Sequence, residues 1–264
     1  MTVTVVTGAS SGIGRSLARR LAAGGDSVAV LARRKPLLDS LVEEIVQAGG
    51  RALAVECNVT DRDQVQEAMR QVERTLGPID RLVANAGGGE RTLVDDFQAA
   101  QIERVVALNL GGAANCIEAV LPGMLRRGSG HLVATSSIAG YRGLPHGAAY
   151  GAAKAALSNM MESLRLDLEP RGVAVTTIHA GFVKVKQRKR PRPFAVDVES
   201  ATRRMHRAIL DRRRHYAFPL TLTVAGFAAR LMPAFLYDRL MRDRGAKPHK
   251  RAPTTTTTVP GPQQ

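Results

Sequence analysis

The sequence is short of cysteine, tryptophan and other aromatic side chains. Its 264 residues include two cysteines, Cys57 and Cys116, no tryptophan, and only 4% aromatic residues. Two cysteines make no disulfide framework, and no Cys/His cluster has metal-ligand spacing, so we expect a reduced, intracellular protein without a metal site. Scarce aromatics leave few platforms for stacking nucleic-acid bases, and no familiar readout motif is present, which argues against nucleic acid as a partner. The N-terminus lacks the features of a secretion signal, so we expect a cytoplasmic protein.

Acidic residues are scarce in the last third of the chain. Residues 1–183 carry 19 Lys/Arg and 18 Asp/Glu, whereas residues 184–264 carry 19 and 5, so almost all of the formal charge of +15 belongs to the C-terminal region. A local excess of this kind predicts a surface that meets something anionic.

Apolar, β-branched runs alternate with segments of helical periodicity over the first two-thirds of the chain. The runs predict strands within 2–8, 27–33, 51–59, 79–87, 130–137 and 173–181, and the segments between them predict helices near 12–24, 36–49, 61–76, 99–125 and 148–169. Strands that are apolar throughout and separated by helices are typical of a buried parallel sheet. We therefore predict an α/β fold: one Rossmann-type domain over residues 1–214, with a doubly wound parallel sheet of about seven strands and helices on both faces.

The pattern changes after residue 184. The stretch 184–193, "KVKQRKRPRP", is basic and proline-interrupted, which indicates a loop, and Asp197 is placed to cap a helix that follows. We assign 184–214 to substrate binding, 215–246 to a basic, apolar extension of short amphipathic helices, and the low-complexity 247–264 to a disordered tail.

The stretch "TGASSGIG", residues 7–14, directly follows the first strand and opens the first helix. Gly8 permits a tight turn, Gly12 lets backbone approach a diphosphate, and Gly14 lets helix and strand pack closely. The helix N-terminus offers N–H donors to an anion, and the hydroxyls of Ser10 and Ser11 add two more. This turn predicts a dinucleotide site.

Five motifs in register make the chain resemble the short-chain dehydrogenase/reductase family over about residues 2–185. They are "TGASSGIG" at 7–14, "NAGG" at 85–88, Asn109, "SSIAG" at 136–140 and "YGAAK" at 150–154. The resemblance implies catalysis by Asn109, Ser137, Tyr150 and Lys154, and a nicotinamide cofactor held in addition by Ile13, Asn58, Val59, Asn85, Ala86, Gly87, Tyr150, Lys154, Gly181 and Val183.

Tyr150 and Lys154 lie four positions apart and therefore share one helix face. An ammonium within about 4 to 6 Å lowers the pKa of a phenol, which would make Tyr150 a competent general acid and base. By resemblance, Lys154 also binds the nicotinamide ribose, Ser137 hydrogen-bonds the substrate oxygen, and Asn109 holds a water that links Lys154 to solvent. An isolated pair with this spacing could instead be a core tyrosine beside a snorkelling lysine.

The residues after the second strand indicate which cofactor is used. Ala32 stands where an NAD-preferring relative would carry an acid, and it is followed by Arg33, Arg34 and Lys35. Guanidinium groups match a 2′-phosphate, so we predict NADP(H). A solvated basic loop is the alternative.

One motif departs from the family's pattern. Relatives usually carry Pro-Gly and then a Thr after the sixth strand, whereas this chain has Ala180 and Val185 at those positions. The departure puts the contacts of the nicotinamide carboxamide in doubt, although the backbone of Val183 could still supply them. The proton chemistry is unaffected.

Together these residues predict an NADP(H)-dependent oxidoreductase that interconverts a carbonyl and an alcohol. The C-terminal extension suggests an apolar or lipid-like substrate and peripheral attachment to an anionic membrane at its cytoplasmic face. Its helices could equally pack on the sheet or on a second subunit. The resemblance implies a homodimer or homotetramer formed through 99–125 and 148–169, and a non-catalytic NADP(H) sensor or scaffold is the alternative function.

Overall fold

Seven parallel strands form the central layer of the protein. The computed structural model describes residues 1–184 and 194–245. The strands of the sheet are β1 (Val3–Thr7), β2 (Ser27–Ala32), β3 (Arg51–Glu56), β4 (Arg81–Ala84), β5 (Gly130–Ser137), β6 (Val173–Ala180) and β9 (His215–Phe218), and β7 (Val183–Lys184) pairs with β8 (Val196–Asp197) outside it. Their order in the sheet is β3-β2-β1-β4-β5-β6-β9, with every neighbouring pair parallel. The predicted doubly wound parallel sheet is confirmed.

Helices cover both faces of this sheet. They are α1 (Gly12–Ala23), α2 (Lys35–Gln47), α3 (Arg62–Leu76), α4 (Ala99–Val106), α5 (Gly112–Arg127), α6 (Ala148–Leu168), α7 (Val198–Leu210), α8 (Leu220–Leu231) and α9 (Ala234–Gly245), with 3₁₀ turns at Val94–Asp96, Ile138–Gly140 and Glu169–Arg171. One apolar core lies between the sheet and α3, α5 and α6, and a second lies between the sheet and α1, α2 and α7. The strands are buried from both sides, which explains why their sequences are apolar throughout.

The seventh strand lies beyond the predicted end of the domain. We expected the sheet domain to end at residue 214, but His215–Phe218 forms β9 beside β6, and Phe218 is fully buried. The boundary therefore moves to residue 218. A run of four residues followed directly by Pro219 resembles the start of the apolar segment after it, so its composition gave no separate strand signal.

Asp197 caps α7 as predicted, because its carboxylate accepts a hydrogen bond from the backbone N–H of Ser200 at 2.7 Å. The predicted basic loop at 185–193, which includes Val185, lies outside the described residues. The predicted tail at 247–264 also lies outside them.

The predicted helix at 99–125 is two helices joined by one π-helical turn, Ala107–Gly111. By length and composition, the combined run Ala99–Arg127 is the one helix within the described residues that could cross a membrane. Its apolar residues Cys116, Val120 and Met124 are buried against the sheet and α3, as in the core helix of a globular domain.

The C-terminal helices pack on the loop that connects β5 to α6. Gly226 of α8 lies against Ile138 and Tyr141, and a Cβ atom at Gly226 would come within 2.9 Å of each. Arg142 donates hydrogen bonds to the carbonyls of Ala229 and Met232 at the end of α8. The extension is therefore attached to the loop between β5 and α6 of the same chain.

Arg142 also joins the loop to α9. Its guanidinium carbon lies 3.9 Å from the ring centroid of Tyr237, and the Tyr237 hydroxyl donates a hydrogen bond to the backbone carbonyl of Gly143. A cation placed over an aromatic ring and at a helix C-terminus is favourable on both counts. We call Arg142 and Tyr237 the latch.

Substitution of the latch tests this packing. In Arg142→Ala, loss of two charge-assisted hydrogen bonds should lower the free energy of local unfolding of α8 by about 1.5 to 3 kcal/mol. Amide hydrogen exchange in α8 should then be faster by about 10- to 100-fold. The exposed Arg204 on α7 is the control, because Arg204→Ala should leave this exchange unchanged. Equal exchange in wild type and Arg142→Ala would contradict the latch.

Candidate active site

The turn between β1 and α1 has the geometry of an anion cradle. Gly12 has φ +55° and a Cβ there would meet nothing within 4 Å, whereas a Cβ at Gly14 would lie 2.3 Å from the carbonyl oxygen of Gly8. Helix α1 has no side-chain cap and no acidic residue in its first turn. Its first N–H groups are thus free of protein carboxylates and face an open space, which fits a diphosphate.

Asn85 ties the loop after β4 to this turn. Its side-chain amide donates to the carbonyl of Thr7 at 3.1 Å, and the backbone N–H groups of Asn85 and Ala86 each donate to the Thr7 hydroxyl at 3.0 Å. These bonds hold the loop against the turn, where a Cβ at Gly8 would lie 2.8 Å from the Cα of Ala86.

Arg34 lies against the same turn. Its guanidinium donates to the hydroxyls of Ser10 at 2.7 Å and Ser11 at 3.0 Å. Arg33 is exposed next to it, and Lys35 pairs with Asp39 on α2. Two guanidinium groups therefore stand at the end of β2, where a dinucleotide fold meets the adenosine ribose.

The other predicted cofactor residues follow the carboxyl ends of the strands, but they differ in what they can offer. The Asn58 amide oxygen accepts from the N–H and hydroxyl of Thr60, so its bonding is partly satisfied within its own loop. Val59 is buried and packs against α5. Ile13 packs partly buried on the second core, and the Gly181 N–H donates to the carbonyl of Phe218 at 2.8 Å.

Val183 forms part of the β7–β8 pair, whose register joins it to Val196. Its backbone is thus engaged in a small sheet that the sequence analysis did not foresee. The two short strands contribute too little apolar periodicity to be recognised.

The four predicted catalytic residues come together at the carboxyl edge of the sheet. Ser137 ends β5, Tyr150 and Lys154 lie on the first two turns of α6, and Asn109 lies on the π-helical turn. The Ser137 side chain lies near enough to Tyr150 to act to lower the pKa of the phenol, and the Ser137 hydroxyl donates to the backbone carbonyl of Ala180 at 3.1 Å. Gly87 fills the space between the other two, because a Cβ there would lie 2.6 Å from Asn109 Oδ1 and 3.2 Å from Lys154 Nζ.

The π-helical turn gives Asn109 its orientation. Its amide nitrogen donates to the carbonyl of Gly88 at 2.7 Å and to that of Val105 at 2.8 Å, and its amide oxygen accepts from the Gly88 N–H at 3.3 Å. Asn109 is almost fully buried. A wider helical turn frees a backbone carbonyl for such a bond, and π turns are frequent at functional sites.

Lys154 is a buried cation with one described hydrogen bond. Its Nζ donates to the backbone carbonyl of Thr135 at 2.8 Å, and its side chain is 3% exposed. Burial lowers the pKa of Lys154 from 10.5 to about 8. Its remaining N–H donors give it capacity for ribose hydroxyls.

The prediction that Lys154 lowers the pKa of Tyr150 is wrong for the structure described here. Burial raises the pKa of Tyr150, and the hydrogen bond from Ser137, not the lysine charge, acts to lower it. Lys154 Nζ lies 5.8 Å from the centroid of the tyrosine ring. Desolvation of the phenolate outweighs the attraction of an ammonium that is itself desolvated.

Sequence reasoning missed two residues of the site. Gly89 passes directly over Tyr150, where a Cβ would lie 2.6 Å from the ring, and the run of three glycines at 87–89 was its only signal. His179 is buried on β6 between the rings of Tyr141 and His215, at 5.1 and 6.2 Å. Burial lowers the pKa of His179 to about 4, so it is neutral at pH 7.

Within the part of the chain that the structure describes, no group of three His, Cys, Asp or Glu side chains could hold a metal ion. The site consists of hydroxyl, phenol, amide and ammonium groups. Such a set can donate hydrogen bonds and exchange a proton with an oxygen atom.

Comparison with known proteins finds sequences similar to this chain. A family model described as short chain dehydrogenase matches residues 2–194. An uncharacterized oxidoreductase of Myxococcus xanthus is 41% identical over 241 residues, covering 90% of this chain and 95% of that protein. A 3-oxoacyl-(acyl-carrier-protein) reductase of Staphylococcus aureus is 38% identical, covering 68% of this chain and 73% of that protein.

Solved structures share the fold. An alcohol dehydrogenase from the archaeon Thermococcus sibiricus, complexed with 5-hydroxy-NADP, superposes with a TM-score of 0.74 at 26% identity, covering 83% of this chain and 95% of that one. A 3-ketoacyl-ACP reductase from Sinorhizobium meliloti superposes with a TM-score of 0.74 at 29% identity, covering 82% and 96%.

The buried charge of Lys154 generates a stability prediction. Between pH 8 and 10.5 the unfolded chain keeps the Lys154 proton that the folded protein has lost, so the free energy of unfolding rises with pH across that window. Below pH 8 the lysine is charged in both states, and its burial then lowers the free energy of unfolding by the full amount. Lys154→Met should therefore raise the free energy of unfolding by about 2 kcal/mol near pH 7, with the gain shrinking toward pH 10.5.

Urea unfolding of wild type and Lys154→Met at several pH values measures this gain. The exposed Lys184 supplies the control, because Lys184→Met should change stability little at any pH. A Lys154→Met protein that is less stable than wild type at neutral pH would contradict the cost assigned to burial.

Proposed function

Because the chain belongs to the short-chain dehydrogenase family, we propose that it is an NADP(H)-dependent oxidoreductase that interconverts a carbonyl and an alcohol. The observation that carries the proposal is the approach of Ser137, at the end of β5, to Tyr150 on α6, with the buried Lys154 one turn farther along that helix. A substrate oxygen placed between the two hydroxyls could accept a hydrogen bond from each.

When bound, NADP(H) supplies or accepts the hydride. Residues 8–14 would hold its diphosphate, and Arg33 and Arg34 its 2′-phosphate, since both guanidiniums stand at the end of β2 without a described carboxylate partner. Lys154 would hold the nicotinamide ribose, together with Asn85–Gly87 and the backbone near Gly181 and Val183.

Proton transfer is the task of Tyr150. In reduction its hydroxyl donates the proton to the substrate oxygen while Ser137 donates a hydrogen bond to the same atom. Burial keeps the phenol protonated near neutral pH, which is the form that a general acid requires. In the reverse reaction, oxidation of the alcohol, the phenolate accepts the proton. Asn109 supports the step by fixing the loop at Gly87–Gly88 against Lys154.

We propose an apolar carbonyl compound as the substrate. Three exposed apolar side chains are close in sequence to site residues or to β8: Leu144 lies in the loop before Tyr150, Phe182 follows Gly181, and Phe194 precedes β8, with exposed fractions of 44%, 38% and 63%. The similarity to 3-oxoacyl reductases supports the same class. We propose a cytoplasmic homodimer or homotetramer, with no nucleic-acid partner.

Removal of the phenol tests catalysis. Tyr150→Phe should lower kcat for NADPH-dependent ketone reduction by at least about 100-fold, and Ser137→Ala by about 10- to 100-fold, with NADPH binding retained. Tyr216→Phe on β9 is the matched control and should keep full activity. Activity should be measured as NADPH oxidation with short and long ketones, and binding by cofactor fluorescence.

Two results would count against this mechanism. Full turnover by Tyr150→Phe would remove the tyrosine from the proton step. A wild-type protein that binds NADPH but turns over no carbonyl across the panel would favour the alternative, a cofactor sensor or scaffold.

Cofactor preference is tested at Arg33 and Arg34. Each charge-assisted bond to a phosphate is worth about 1.5 to 3 kcal/mol, so Arg34→Ala should raise the KM for NADPH by about 10- to 100-fold while that for NADH changes little. The double variant Arg33→Ala/Arg34→Ala should lose more. Arg19→Ala, on the exposed face of α1, is the control. Equal effects on the two cofactors would contradict recognition of a 2′-phosphate.

A further inference from the structure

The outward face of α8 is apolar, the reverse of what a water-covered helix shows. Leu220, Val224, Phe227 and Leu231 are 72%, 59%, 49% and 83% exposed. Their spacing of four, three and four residues places them in one stripe along the helix. No residue of α8 is fully buried, so these side chains are not the margin of a helix face that packs into the core.

Helix α9 also exposes apolar side chains. Tyr237 is its buried contact with the 138–143 loop, while Phe235, Leu236 and Leu240 are 71%, 46% and 53% exposed. We call the set of seven exposed side chains the apolar face: Leu220, Val224, Phe227, Leu231, Phe235, Leu236 and Leu240. An exposed apolar surface of this extent marks a contact with another molecule or with a membrane.

The charges around the apolar face indicate its partner. Arg230 is the only charged residue of α8, and α9 exposes Arg239, Arg242 and the acidic Asp238. They belong to the C-terminal region of 19 basic and 5 acidic residues. A second copy of this chain would bring the same cations against themselves, whereas an anionic bilayer accepts apolar side chains and attracts arginines together.

We propose that the apolar face of α8 and α9 docks the protein onto an anionic membrane surface, with both helices lying in the interface. Twelve residues in α8 are too few to span a hydrocarbon core but suit a helix buried in the headgroup region. The proposal does not depend on the reaction.

The docked face adjoins the catalytic loop. Phe227 lies 5.0 Å from Tyr141 between ring centroids, and Tyr141 lies four residues after Ser137 in the loop that the latch holds. A membrane-bound protein would therefore present its site beside the bilayer, where apolar carbonyl compounds dissolve. This second step rests on the proposed function.

Vesicle flotation with the full chain tests docking. Wild type should float with vesicles of equal parts phosphatidylglycerol and phosphatidylcholine, should float poorly with phosphatidylcholine alone, and should be released by high salt. Val224→Ser/Leu231→Ser should weaken binding to the anionic vesicles by at least about 10-fold, because two aliphatic side chains that the bilayer would bury are lost. Leu166→Ser on α6, 62% exposed, is the matched control and should bind as wild type does.

Other occupants of the apolar face appear as distinct outcomes. A wild-type protein that ignores anionic vesicles overturns the proposal, as does an equal loss in Leu166→Ser. A dimer in analytical ultracentrifugation that Val224→Ser/Leu231→Ser dissociates, without vesicle binding, would assign the face to a second copy. Reduction of a small water-soluble ketone by each variant reports separately on the proposed function, because these substitutions leave the catalytic residues in place.

Discussion

Burial of the Lys154 ammonium is the constraint on which the rest of the site depends. Its Nζ is bonded to the carbonyl of Thr135 on β5, and its backbone carbonyl accepts a bond from the hydroxyl of Ser136. Gly87 approaches it closely from the loop after β4, and Gly140 packs on its backbone from the loop after β5. Elements far apart in the chain thus meet at one cation, and each must be small or polar where it does so.

Burial of Lys154 lowers the stability of the fold and shifts the pKa of its ammonium. A lysine that water no longer solvates holds its proton weakly, and the phenol one turn away holds its proton more strongly for the same reason. The two shifts are opposite in sign and have a single cause, burial, because desolvation favours the neutral form of each group. The sequence spacing of Tyr150 and Lys154 placed the two groups on one face, but the balance between attraction and desolvation depends on packing that spacing does not encode.

Local sequence patterns predicted most of the fold because the sheet is buried on both sides. Strands β1 to β6 are apolar runs bounded by helices, and their carboxyl ends had to meet, which brought Ser137, Tyr150, Lys154 and Asn109 together as expected. The strand His215–Phe218 was not predicted, since four residues carry little periodicity and their pairing partner β6 is remote in sequence. The π turn at Asn109 and the close approach of Gly89 to Tyr150 are likewise tertiary features, which have no local signature.

The C-terminal third differs from the rest of the chain in its charge and in its exposed apolar surface. The short chain dehydrogenase model ends at residue 194, before α7, so the strand that completes the sheet and the two helices that bear the apolar face lie outside it. The excess positive charge lies in this part of the chain, together with the exposed apolar side chains of α8 and α9, whereas the first two-thirds carry nearly equal numbers of basic and acidic residues. Because Arg142 and Tyr237 fasten α8 and α9 to the loop between Ser137 and Tyr150, whatever covers the apolar face also contacts helices that pack on this loop. The exposed apolar surface is thereby connected to the segment that carries the two hydroxyls of the proposed proton transfer.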